Sequence, residues 1–103
     1  MARTYSDKFL MHLFSQDSTD LEVRLAKICV KANLPTAYVA KALGVSRLTV
    51  FNWFRGTQIR KRYYPIIEAF MKILQEDLDK GVLPAGSHKL AKHYIETMLG
   101  KEI

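Results

Sequence analysis

The stretch TAYVAKALGVSRLTVFNWFR, Thr36 to Arg55, decides how the rest of the chain is read. It predicts two short helices, about Thr36 to Leu43 and Arg47 to Phe54, joined by a tight turn. Val39, Leu43, Val45, Val50 and Trp53 supply apolar contacts, and Ala40 is small where the two helices must touch. Gly44 stands where the chain reverses and a positive φ is most easily reached. Ser46 is suited to cap the second helix, because its hydroxyl accepts an otherwise unpaired backbone N–H. Together these signals predict a helix-turn-helix, the unit that places its second helix in a DNA major groove.

At about 100° per residue, Val50 and Trp53 fall on one side of the second helix and so belong to the core. Arg47, Leu48, Phe51 and Asn52 fall on the opposite side, with Thr49 and Phe54 flanking. That outer side has the chemistry of base recognition. An arginine forks onto guanine, an asparagine bonds adenine through two atoms, and apolar side chains pack on thymine methyls. The following segment, Arg55 to Tyr63, carries Arg55, Arg60, Lys61 and Arg62 beside Thr57. Those groups are suited to phosphate, which fixes register without reading sequence. Gly56 leaves room for a backbone N–H to approach a phosphate.

The string Val39-Ala40, Leu43-Gly44-Val45-Ser46-Arg47, Thr49-Val50, Trp53 and Arg55-Gly56 resembles the lambda-repressor-like, Cro/C1-type helix-turn-helix family. The likeness is close from Leu34 to Gly56 and extends in outline from Leu21 to Leu78. It implies an all-α fold, base contact by Arg47, Leu48, Phe51 and Asn52, and phosphate contact by Ser46 and Thr49. It also implies a prokaryotic or phage transcriptional regulator, a family whose members often pair as dimers on two half-sites. Two positions depart from the family pattern. Thr36 replaces a frequent phosphate-holding Gln, so a weaker backbone contact is expected there, and Phe54 replaces a frequent Glu.

Charge distribution points the same way. The chain has 103 residues and a formal net charge of +6. From Val23 to Ile67 there is no Asp or Glu, and nine of the 16 Lys and Arg residues lie in that window. Positive charge concentrated around one motif suits a partner made of phosphates. At 49% apolar residues the chain is not a disordered tail. It is read as one domain over 1–103, with the motif core over 20–80 and a C-terminal helix over 87–100.

Elsewhere, five to six short helices are expected and no strand. Residues 1 to 5 read as a loose end. A helix capped by Ser6 follows, with Phe9, Leu10, Leu13 and Phe14 as its stripe. Thr19 and Glu22 suggest a capping box for a helix over 20–32, and Asn33 a left-handed terminator. A long helix after Tyr63-Tyr64-Pro65 is expected to bury Ile66, Ile67, Phe70, Met71, Leu74 and Leu78, with one of the two tyrosines buried and the other partly exposed. Leu83 to Gly86 reads as a linker. The last helix offers Leu90, Ala91, Tyr94, Ile95 and Met98 either to its own domain or to a second copy in a homodimer.

Other function classes find less support. Cys29 is alone, which excludes a disulfide framework and a multi-cysteine metal site. His12, His88 and His93 are scattered, and Glu76, Asp77 and Asp79 read as a solvated run. No enzyme, metal or cofactor is expected, nor a small-molecule effector. No apolar run approaches the ~18 residues of a membrane helix, and MARTYSDK lacks a signal-peptide core, so a cytoplasmic, nucleoid-associated location is expected. Two alternatives stay open: an antitoxin-type module that binds DNA and a protein, and an RNA-binding protein.

Overall fold

In a computed structural model, which describes residues 5–103, six α-helices follow one another without a strand among the described residues. They are α1 (Asp7–Phe14), α2 (Leu21–Lys31), α3 (Thr36–Leu43), α4 (Arg47–Phe54), α5 (Tyr64–Asp79) and α6 (His88–Leu99), with one 3-10 turn at Lys61–Tyr63. The all-α expectation therefore holds. α3 lies at the centre, packed against α4, α5 and α6, while α2 packs against α1, α4 and α5. The shared core is built from Leu25, Cys29, Leu34, Val39, Val50, Ile67, Leu74 and Ile95, all fully enclosed.

Local chemistry explains most helix ends. Ser6, Ser46 and Ser87 each accept the N–H three residues on. Asn33, at φ 56, closes α2 in the left-handed region, where asparagine is better tolerated than bulkier residues. The N–H of Leu34 then returns to the Cys29 carbonyl at 3.1 Å. The start of α2 departs from expectation. Asp20, not Thr19, occupies the cap position and makes no side-chain cap bond, so the third helical residue is Val23 rather than Glu22. This one-residue shift removes the capping box. The Asp20 N–H is bound by Ser18 Oγ instead, and Glu22 is buried.

Several side chains expected inside lie outside. Ile66 is 45% exposed and Leu90 56% exposed. Each sits one residue off its helix's buried line, which runs Ile67, Phe70, Met71 and Leu74 in α5 and Ala91 and Ile95 in α6. In α1 only Leu13 is fully buried, and Phe14 is exposed, because this eight-residue helix packs mainly on α2. Val45, just past the turn, is half-buried rather than a core residue. Leu78 and Met98 are likewise half-buried, as are both Tyr63 and Tyr64.

Other segments are more tightly held than their composition suggests. Tyr5 is not loose: its hydroxyl donates to the Leu34 carbonyl at 2.5 Å and its ring stacks on Phe9. The rest of that expected loose end, residues 1–4, lies outside the described residues. The presumed linker is docked by Leu83 and Ala85, both buried. The Ala85 N–H donates to the Ala32 carbonyl at 2.9 Å, and Asn33 Nδ2 donates to the Ala85 carbonyl at 2.6 Å. These bonds tie the segment before α6 to the α2–α3 junction, and α6 packs on α3.

Candidate nucleic-acid interface

α3 ends at Gly44, whose φ of 70° reverses the chain. The Val45 N–H then bonds the Ala40 carbonyl at 3.1 Å, a bond that closes the helix end beside the one from the Gly44 N–H. Ser46 starts α4 by accepting the Thr49 N–H at 3.1 Å. The Ser46 and Thr49 hydroxyls also lie 2.8 Å apart in a mutual hydrogen bond. Both hydroxyls offered to phosphate thus already hold each other, though an oxygen with two lone pairs retains capacity for another bond.

α4 divides cleanly by exposure. Val50 and Trp53 are in the core, and Phe54 joins them there instead of flanking the outer face. Phe54 is buried against the Tyr5 ring, 6.2 Å away, which explains how an aromatic side chain is accommodated at this position. On the other side Leu48 is 66% exposed and Phe51 48% exposed. Arg47 is exposed beside them and Asn52 is half-buried. The four residues expected to touch bases therefore share one accessible face. The Arg55 guanidinium lies 5.5 Å above the Phe51 ring, within range of a cation–π attraction.

The segment after α4 is fixed rather than loose. Gly56 donates to the Trp53 carbonyl and Thr57 to the Asn52 carbonyl, each at 3.0 Å. These two N–H groups are occupied, so the Gly56 backbone does not offer the expected open approach to a phosphate. Ile59 is buried inside what reads as a polar loop and anchors it. Tyr63 meets Trp53 edge-on at 5.4 Å. Between these anchors Arg60, Lys61 and Arg62 remain exposed. Arg62 is partly engaged: its guanidinium lies 4.8 Å over the Tyr63 ring and donates to the Tyr63 hydroxyl at 2.9 Å. Arg60 and Lys61 thus have the freer heads of the three.

Thr36, Arg47, Phe51 and Arg55 also line a concavity of about 700 Å³. Tyr5, Phe9, Ala37, Tyr38, Phe54 and His88 also line it. Sequence reading did not connect these residues, and nothing local links Tyr5 to His88. A second concavity, of about 690 Å³, lies between α5, the 82–86 segment and α6. Among the described residues no three His, Cys, Asp or Glu side chains converge as metal ligands do. No helix among them is long and apolar enough to cross a membrane. Compared with protein-family models, curated proteins and solved structures, the chain matches none.

Proposed function

We propose that this chain is a sequence-specific duplex-DNA-binding protein, a prokaryotic or phage transcriptional regulator of lambda-repressor-like design. α3 and α4 act as the helix-turn-helix, and α4 enters the major groove. One observation carries this reading: the face of α4 turned away from the core is accessible and presents Arg47, Leu48, Phe51 and Asn52 inside the acid-free part of the chain.

The division of labour follows from chemistry. Arg47 forks onto a guanine edge and Asn52 onto an adenine edge, while Leu48 and Phe51 exclude water over thymine methyls. Arg60, Lys61 and Arg55 hold phosphates, with weaker support from Thr36, Ser46, Thr49, Thr57 and Arg62. The groove, ~12 Å wide, admits one helix. Dimeric binding would place two half-sites about 34 Å apart. Sedimentation with and without duplex reads that separately.

The experiment is selection of bound sequences from a random duplex pool, followed by affinity for the selected site, a scrambled site and a single-stranded RNA. A recurring motif bound at least 10³-fold more tightly than the scrambled duplex supports the reading. Enrichment of no motif, or preference for RNA, contradicts it.

A further inference from the structure

The concavity beside α4 differs from an ordinary groove in what lines it. Five aromatic rings, Tyr5, Phe9, Tyr38, Phe51 and Phe54, form its wall, and its volume of about 700 Å³ lies in the usual range for a small-molecule site, about 300–1,000 Å³. Three of those rings are fixed to one another: Tyr5 stacks on Phe9 at 5.6 Å and tilts against Phe54 at 6.2 Å. The Tyr5 hydroxyl is anchored on the Leu34 carbonyl, and Tyr38 meets His88 edge-on at 6.5 Å. Arg47 and Arg55 line the same space, and no acidic residue among the described ones does.

That combination selects a ligand class. A neutral apolar molecule would cover the rings and leave two guanidiniums without an anion. An inorganic anion would meet the guanidiniums and leave the rings wet. A flat ring system bearing one carboxylate or sulfonate satisfies both, by aromatic contact and by a charge-assisted hydrogen bond. The concavity between α5 and α6 makes the contrast. It has Ile73, Val82 and Leu90 for apolar contact, but among the described residues its charged lining is Asp77 and no Arg or Lys reaches it.

We propose that the cavity between α1, α3 and α4 binds a small aromatic anion, and that this ligand competes with DNA for α4. The second clause rests on the DNA-binding reading, because Arg47, Phe51 and Arg55 serve both partners. A ligand held on those groups removes them from base edges and phosphates. Duplex then expels ligand by the same factor as ligand expels duplex.

The test titrates the full chain with 2-naphthoate and with 2-naphthalenemethanol, which share a ring and differ in charge, by calorimetry at constant salt. Naphthoate is expected to bind about tenfold or more tightly than the alcohol, and Arg55→Gln to remove most of that preference. Ala37→Phe, which projects a ring from the cavity wall, is expected to abolish binding of both. Should that variant not fold, Phe51→Ser, at a partly exposed position, is expected to weaken both. Leu90→Ser in the other concavity should leave binding unchanged. Equal affinity for acid and alcohol, no binding of naphthoate, or sensitivity to Leu90→Ser in place of the cavity variants overturns the site. With naphthoate at ten times its Kd, the apparent Kd for the selected duplex should rise about tenfold. Ligand and duplex bound without mutual effect overturn the competition. Naphthoate bound as stated by a chain that binds no duplex leaves the cavity standing and removes the DNA reading instead.

Discussion

α4 and α6 are built by the same local rules and flank the same helix, yet they present different surfaces. Each starts at a serine whose hydroxyl accepts the N–H three residues on, from Thr49 or from Leu90. Each is followed by a positive-φ glycine, Gly56 or Gly100, and each packs on α3. Each also leaves a leucine exposed, Leu48 or Leu90. The difference lies in the surrounding charge. α4 belongs to the acid-free window. α6 has Lys89 and Lys92 but mixes them with acid: its Glu96 accepts the Ile103 N–H, and its Tyr94 hydroxyl donates to Asp77 of α5. Capping and apolar spacing therefore make helices on both sides of α3, and charge distribution singles out one of them as the candidate for a polyanion.

The largest expected effect tests whether both helices belong to one cooperative unit. Ala40 in α3 and Ala91 in α6 are buried. Ala40→Glu and Ala91→Glu should each destabilise the fold by about 3–5 kcal/mol, because an enclosed carboxylate has no partner. Chemical denaturation measures both. If Ala91→Glu unfolds with the parent's midpoint while Ala40→Glu does not, α6 is detachable and the symmetry between the two sides of α3 breaks.

Alkaline titration comes next in size. Burial pushes the Cys29 thiol well above its ordinary 9.0, and burial, then the nearby Cys29, pushes the Tyr5 phenol above 10.0. On the α6 side, burial and then the bond to Asp77 raise Tyr94 as well. These groups stay protonated in the folded chain while the unfolded chain loses protons. Stability is therefore full below about pH 9 and falls above it, by about 1.4 kcal/mol per pH unit for each fully buried group that ionises only on unfolding. Denaturation midpoints at pH 8, 9.5 and 10.5 check the slope, and Tyr5→Phe should flatten it above 10. A flat profile would mean that these groups are as accessible in the fold as outside it.

A smaller effect separates strain from packing at the turn. A Cβ on Gly44 would meet nothing within 4 Å, so Gly44→Ala is opposed by its φ of 70° alone. The expected loss is about 1–2 kcal/mol, seen as a lower denaturant midpoint with an unchanged slope. Gly100 has the same left-handed φ and equally open space, and the N–H of Lys101 returns to the Glu96 carbonyl behind it. Gly100→Ala should therefore cost about the same. A much smaller loss at Gly100 would show that the end of α6 is less constrained than the turn before α4.

How much of this was legible in the sequence depends on how local each signal is. Gly44, Ser46 and Asn33 act within a few residues, and their roles follow from their chemistry. Val50 and Trp53 were assignable to the core by helical spacing alone. Adjacent apolar pairs were not so clear: in Ile66-Ile67 and Leu90-Ala91 the spacing admits either member, and packing selects the second. Phe54 is buried against Tyr5, far back along the chain, and Ile59 is buried within a polar stretch, and no local pattern marks either. The 83–86 segment has a linker's composition, yet its Ala85 is bonded to Ala32 and Asn33. The aromatic cavity is the extreme case, since it assembles residues from Tyr5 to His88. The outer face of α4 was legible because one helix supplies all of it.

The most direct test of that face compares reading with holding. Affinity is measured for the selected duplex and a scrambled one, across a salt series, for the parent, Asn52→Ala and Lys61→Ala. Asn52→Ala should cost about 1–3 kcal/mol on the selected site, relax preference at one base pair, and leave the scrambled site nearly unchanged. Lys61→Ala should weaken both duplexes alike and flatten the slope of log K against log salt by about 0.9 for one lost phosphate contact. Equal weakening of both duplexes by Asn52→Ala, or altered base preference in Lys61→Ala, would contradict the assignment of α4 as the reading helix.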